Sequence, residues 1–361
     1  MELELVFIPS PGIGHFRSTT AVAKLLVDSD DRISVTLIVI PSRFSDHASS
    51  SYPESQNRLR YCLLPPGDQS TEHTFISYIN SYKQQVRAAV SELSQQWLPY
   101  ILSRARTLRE TKGIIVNSVA EMEPQALKFF SDSNSTPPVY PVGPILDLKT
   151  DGDDSKDEKG IEILSWLDKQ PPRSVVFLCF GSMGGFSEEQ TRETAVALER
   201  SGHRFLWSVR RASPDDKIAP SLPEDFTNLE EILPEGFLER TAEIGKIISW
   251  APQVDVLKSH AVGGFVTHCG WNSTLESLWF GVPTAAWPIY AEQQFNAFQM
   301  VEEVVTAKEI ESGINCVMEQ GSEMRKKVKE MSDKLHVALM DGGSSNAALK
   351  KFIQDVVENV M

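Results

Sequence analysis

The stretch WAPQVDVLKSHAVGGFVTHCGWNSTLESLWFGVPTAAWPIYAEQ, Trp250 to Gln293, decides the reading of this chain. Its 44 residues alternate turn, strand, turn, helix, strand and turn, and the polar residues gather at the turns. GGFVTHCG reads as an apolar strand running out, and TLESLWF after it as the opening of a helix. Polar groups at such a junction lie beyond the carboxyl end of a parallel strand, where α/β folds build ligand sites. The expectation is therefore a binding site on a doubly wound sheet.

Composition narrows the rest. With 361 residues the chain is long enough for two domains, each with its own core. Hydrophobic residues at 41% and charged residues at 23% are ordinary for a soluble globular protein. A net charge of −14 argues against nucleic acid and against anionic membrane surfaces as partners. No apolar run approaches the length of a membrane span, and MELELVFIPS reads as a buried strand rather than a signal peptide. The four cysteines are widely spaced, without disulfide or zinc patterning, and Cys62 and Cys179 lie in apolar runs as small core residues. A cytoplasmic protein is expected.

Upstream of the box, Leu3 to Pro9, Arg32 to Ile40 and Leu59 to Pro65 read as strands, with a glycine turn and a helix after the first. This alternation predicts an α/β domain. It then stops: Glu72 to Lys112 is helix-like with no strand, abnormally long for one crossover. GIIVNS, Gly113 to Ser118, is the next strand. TPPVYPVGP, Thr136 to Pro144, reads as a stiff linker and Asp151 to Gly160 as a solvated acidic stretch. SVVFLCFGS, HRFLWSVR, GKIISWA, GGFVTHCG and PTAAWPI supply five strands of a second domain. Pro214 to Phe237 reads as a long surface loop. An amphipathic helix from Ser322, a Gly342-Gly343 break and a helix from about Ser345 close the chain.

Several chemical candidates fall away. Gly12-Ile-Gly14 lacks the third glycine of a dinucleotide fingerprint, since Arg17 stands there, and the second strand ends in Pro41-Ser42 without an acid for ribose. Asp151-Gly152-Asp153 has the spacing of a metal-holding pair but lies in the acidic linker, so it reads as solvated charge. His15 stands at the end of a glycine turn where a helix opens. A histidine bonded to a turn backbone is the plain alternative. The glycines beside it leave room for another molecule, and a neutral imidazole there can accept a proton from a hydroxyl. Gly181 to Gly185 after one strand, and His268 to Ser273 at a helix start, can each bind an anion through exposed amides and hydroxyls. Asn272 and Ser273 alone would be ordinary caps; two anion loops and a histidine together suit a diphosphate.

Trp250 to Gln293 closely resembles the signature box of plant secondary-product UDP-glycosyltransferases, family 1, over its full length. FIPSPGIGHFRS, PVYPVGP, FLCFGSMG and MDGGSS extend the resemblance over nearly the whole chain. The resemblance implies the GT-B fold, two Rossmann-like α/β domains facing across a cleft. Residues 1–144 would bind the acceptor, 145–344 the UDP-sugar, and 345–361 would return as a helix to the first domain. It implies Trp250 stacked on uracil with Ala251 and Gln253 beside the base, and Glu276 on the ribose hydroxyls. Ser182, His268, Asn272 and Ser273 would hold the diphosphate, Trp271 would line the sugar pocket, and Glu292 and Gln293 would bind sugar hydroxyls. Glutamine at that last position is typical of glucose donors. The implied reaction is inverting: His15 deprotonates a hydroxyl of a small flavonoid, phenolic or related acceptor, which displaces UDP from UDP-glucose without metal or other cofactor. A monomer is expected.

The chain also departs from the family. The aspartate that orients the catalytic histidine has no match, since no Asp occurs between Glu72 and Lys112. A large internal piece is expected to be missing near Val90 to Ser94, and a smaller one near Glu303-Val304. Two readings stay open: an active UDP-glucose-dependent glucosyltransferase, or a catalytically impaired UDP-sugar-binding fragment or splice form.

Overall fold

The computed structural model describes residues 3–7, 9, 13–39, 58–63, 107–132, 136–148, 158–182, 184–212, 226, 228–289, 293 and 306–360. Most of the long helix-like segment, and Glu303-Val304, lie outside these residues. The chain divides into two compact units, one containing residues 1–145 and 337–361, the other residues 146–216 and 220–336.

In the first unit β1 (Leu3–Phe7), β2 (Ile33–Val39) and β3 (Leu59–Leu63) pair in parallel in that order. Helix α1 (Ile13–Ser29) packs on them through Phe16, Ala23 and Leu26, which recur at helical spacing on one face. Ile33, Val35 and Leu37 alternate into the same core. Cys62 on β3 is exposed rather than a core residue: with Leu59 buried, the alternation of the strand sets Arg60 and Cys62 outward.

Part of the proline-rich linker is a strand. β5 (Val139–Pro141) pairs in parallel with β4 (Ile114–Val116), and helix α2 (Pro124–Ser131) connects them. Ile114 N–H donates to Pro138 O and Val142 N–H to Val116 O, so alternate amides face β4. Pro141, one residue out of phase, lacks its donor on the side that needs none. Extended, prolyl backbone is dihedrally close to a strand, and here β4 supplies the partner. Tyr140 of β5 donates its hydroxyl to Asp355 at 2.6 Å, on the last helix α11 (Ser344–Val360). Burial pushes the Tyr140 phenol up to about 12, with the Asp355 bond reinforcing the shift. Tyr140→Phe is expected to lower the melting temperature by about 2–4 °C; an unchanged Tm would show that the bond adds nothing.

The second unit is a five-stranded parallel sheet. β6 (Val175–Cys179), β7 (Arg204–Ser208), β8 (Gly245–Ile248), β9 (Val262–Thr267) and β10 (Thr284–Ala286) stand in the order β10-β9-β6-β7-β8. β6 and β9 are buried throughout, as central parallel strands are. Val176 and Leu178 of β6 face one core, while Val175, Phe177 and Cys179 face the other, where Phe177 stacks on Phe265 at 5.1 Å. The helices are α3 (Glu158–Asp168), α4 (Glu188–Ser201), α7 (Gln253–Lys258), α8 (Trp271–Trp279), α9 (Ala307–Met318) and α10 (Glu323–Leu339). The end of the acidic stretch is the first turn of α3. Part of the expected surface loop also folds: α5 (Leu229–Ile232) and α6 (Phe237–Thr241) bury Leu233 and Phe237 in the core beside Phe205.

Candidate donor-binding site

The order of the second sheet locates its crevice. From β6 the chain winds through β7 and β8 to one side, then returns to place β9 on the other side of β6. The loops leaving β6 and β9 therefore diverge at neighbouring strand ends, the switch point where open α/β sheets hold ligands.

The β9 exit is Thr267-His268-Cys269-Gly270. Cys269 has φ of 61°, an unusual value for a non-glycine residue, and turns the chain sharply into α8. Its thiol is buried, which pushes it up to about 11. Gly270 is the N-cap of α8 and brings no side-chain cap. Trp271 and Asn272 open the helix half-buried, and Ser273 is buried behind them.

His268 is clasped by two glycines. A Cβ at Gly181 would stand 2.7 Å from its Cε1 and Nε2, and a Cβ at Gly270 2.5 Å from Nε2. Only backbones without side chains admit the ring between the two loops. Thr267 Oγ1 lies 3.3 Å from Nδ1. Burial pushes the imidazole down from 6.5 to about 4, so it is neutral at pH 7. Between those values the unfolded chain carries a proton that the fold excludes. The stability contributed is thus complete above about pH 6.5 and is lost as pH falls through 4. Wild type is expected to lose about 2–3 kcal/mol more than His268→Gln between pH 7 and pH 4.5 in denaturant titrations. Equal losses would sink this assignment.

The β8 exit brings Trp250 and Gln253 to α8. Trp250 is 41% exposed, while Ala251 packs into the core. Gln253 Nε2 donates to Ser273 Oγ at 2.9 Å and to Glu276 Oε2 at 2.6 Å. One amide thus sets the spacing of an α8 hydroxyl and an α8 carboxylate. Gln293 is buried and accepts the Ile289 amide at 2.9 Å. Glu292 lies outside the described residues, as does the side chain of His15, whose backbone is the third residue of α1.

Ser182 sits in the β6 exit turn. Its carbonyl accepts from Arg210, a residue that sequence reasoning passed over. Its only signal was a position just after β7, the strand that neighbours β6.

The family model described as UDP-glucoronosyl and UDP-glucosyl transferase matches residues 21–314. UDP-glycosyltransferase 71B1 of Arabidopsis thaliana is 55% identical over all of both chains. That alignment runs over 477 positions and this chain has 361 residues, so 116 positions hold none of its residues. A Siraitia grosvenorii transferase crystallised with UDP is 38% identical with a TM-score of 0.84, covering 98% of this chain and 99% of that one. Medicago truncatula UGT71G1 with UDP-glucose is 32% identical with a TM-score of 0.81, covering 98% of each chain. The chain belongs to the plant family 1 UDP-glycosyltransferases, with the GT-B fold of that family and internal segments missing.

Proposed function

We propose that the chain binds UDP-glucose on its second unit and transfers the glucosyl group, with inversion, to a hydroxyl of a small flavonoid, phenolic or related aglycone. The observation that carries this reading is the Gln253–Ser273–Glu276 network beside the exposed Trp250. It gives an aromatic face for uracil, a carboxylate for the paired ribose hydroxyls, and a hydroxyl at a helix start for phosphate. Ser182, His268 and Asn272 complete the diphosphate contacts, Trp271 lines the sugar pocket, and Glu292 and Gln293 take sugar hydroxyls.

In the step itself the acceptor O–H bond breaks and its proton passes to the His15 imidazole. The oxygen bonds the anomeric carbon from the face opposite UDP. The carbon–oxygen bond to the β-phosphate breaks, and UDP leaves with the electron pair. The positive end of the α8 dipole meets the growing charge, so the scheme needs no metal. None of the four cysteines forms a disulfide, which fits a cytoplasmic, reducing setting. Among the described residues no helix is long and apolar enough to cross a membrane. The protein acts as a monomer in this reading.

The 116 unfilled positions favour a second reading, in which donor binding persists and turnover is impaired. A histidine without its orienting carboxylate is a poorer base. Isothermal titration with UDP-glucose, beside turnover on a flavonoid and phenol panel, separates the two. Binding with turnover supports transfer, binding alone supports impairment, and no binding removes both.

A further inference from the structure

None of the site residues named from the sequence that the second unit provides is cationic at neutral pH. Ser182, Asn272 and Ser273 are neutral, His268 is held neutral by burial, and Glu276 is an acid. A nucleoside diphosphate brings two or more negative charges to this surface, on a chain that is itself strongly acidic. The cation against the phosphate loop is Arg210.

Arg210 leaves the end of β7, the strand beside β6. Its segment and the β6 exit loop are zipped together: Phe186 N–H donates to Arg210 O at 3.0 Å, and Ala212 N–H to Phe186 O at 3.0 Å. The loop is tight along this seam. A Cβ at Gly184 would lie 2.0 Å from Phe180 O, and one at Gly185 2.8 Å from Ala212 N. The half-buried guanidinium then reaches along the loop. Its Nη2 donates to Ser182 O and, at 3.4 Å, to Gly181 O.

Two consequences follow for the site. In a trans peptide the N–H points opposite to the carbonyl, so holding Gly181 O toward Arg210 turns the Ser182 amide away from the guanidinium. Gly181, with φ of 72°, is also the residue at which an added Cβ would strike the His268 ring. Arg210 therefore sets both the outward amide of the loop and the wall that fixes His268, and it adds a positive charge behind them.

We propose that Arg210 is a positioning residue for the diphosphate of the nucleotide donor. It acts through the Gly181–Ser182 backbone and through its charge. The proposal rests on the donor-site reading above, and its test separates the two. Titration calorimetry compares UDP with uridine on wild type, Arg210→Met and Arg210→Lys, with Tm measured for each. Uridine lacks the phosphates, so a loss confined to UDP reports the loop rather than the fold. Arg210→Met is expected to weaken UDP at least tenfold while uridine stays within about twofold. Arg210→Lys, which keeps a charge and donors without the fork, is expected to recover most of that loss. Should methionine at 210 prevent folding, Arg210→Gln, uncharged but able to donate to a carbonyl, carries the same comparison. Equal losses for uridine and UDP, or no loss for either, overturn the proposal. A wild type that binds neither overturns the donor site itself.

Discussion

His15→Ala is expected to lower kcat for glucosylation of a phenolic acceptor by about 10²–10⁴-fold. The same substitution should leave the Kd for UDP-glucose within about twofold. The argument starts from position: α1 opens at Ile13 after β1, so residue 15 lies in the first turn of a helix beyond a strand end. The proposed donor contacts come from the second unit, which His15 does not belong to. Removing a base whose only role is the acceptor proton thus separates turnover from binding. Asparagine at the same position keeps a polar group but cannot take up the proton, so His15→Asn should be as slow as alanine. A kcat unchanged by either variant would remove His15 from the mechanism.

Gly270→Ala should weaken UDP binding by about 10–100-fold, or roughly 1.4–2.8 kcal/mol. Backbone strain is not the reason, since Gly270 has φ of −57°, which alanine accepts readily. The obstacle is the His268 ring. A Cβ at residue 270 would stand 2.5 Å from Nε2, 3.1 Å from Cε1 and 3.3 Å from Cδ2, and retreat is blocked where Gly181 closes on the same atoms. Either the ring or the α8 start must shift, at a cost of about 1–3 kcal/mol in stability as for other overpacked sites. The cause can be isolated. In a His268→Ala background the added methyl group has no ring to strike, so Gly270→Ala should cost much less there than in wild type. Additive losses in the double variant would place the damage in helix capping instead.

These two predictions rest on different kinds of information. The helix start at His15 and the strand-to-helix junction of the box were legible because a turn, a strand end and a helix start are local patterns. So were the strands of the second unit: a central parallel strand is buried on both faces, and VVFLC and VGGFVT carry that as unbroken small and apolar runs. The proline-rich stretch was misread because its backbone preference suits a linker and a strand equally, and only β4 decides between them.

The sequence by itself thus determined the family and the succession of strands in the second unit. Tertiary structure alone decided which distant residues meet. Gln253 joins Ser273 and Glu276 because the β8 exit folds back beside α8, and Gly181 clasps His268 because β6 and β9 are neighbours. Arg210 reaches the Ser182 carbonyl because β7 flanks β6. Sheet order is set by how both faces bury their apolar area at once, a property of the whole domain that no local run of residues carries.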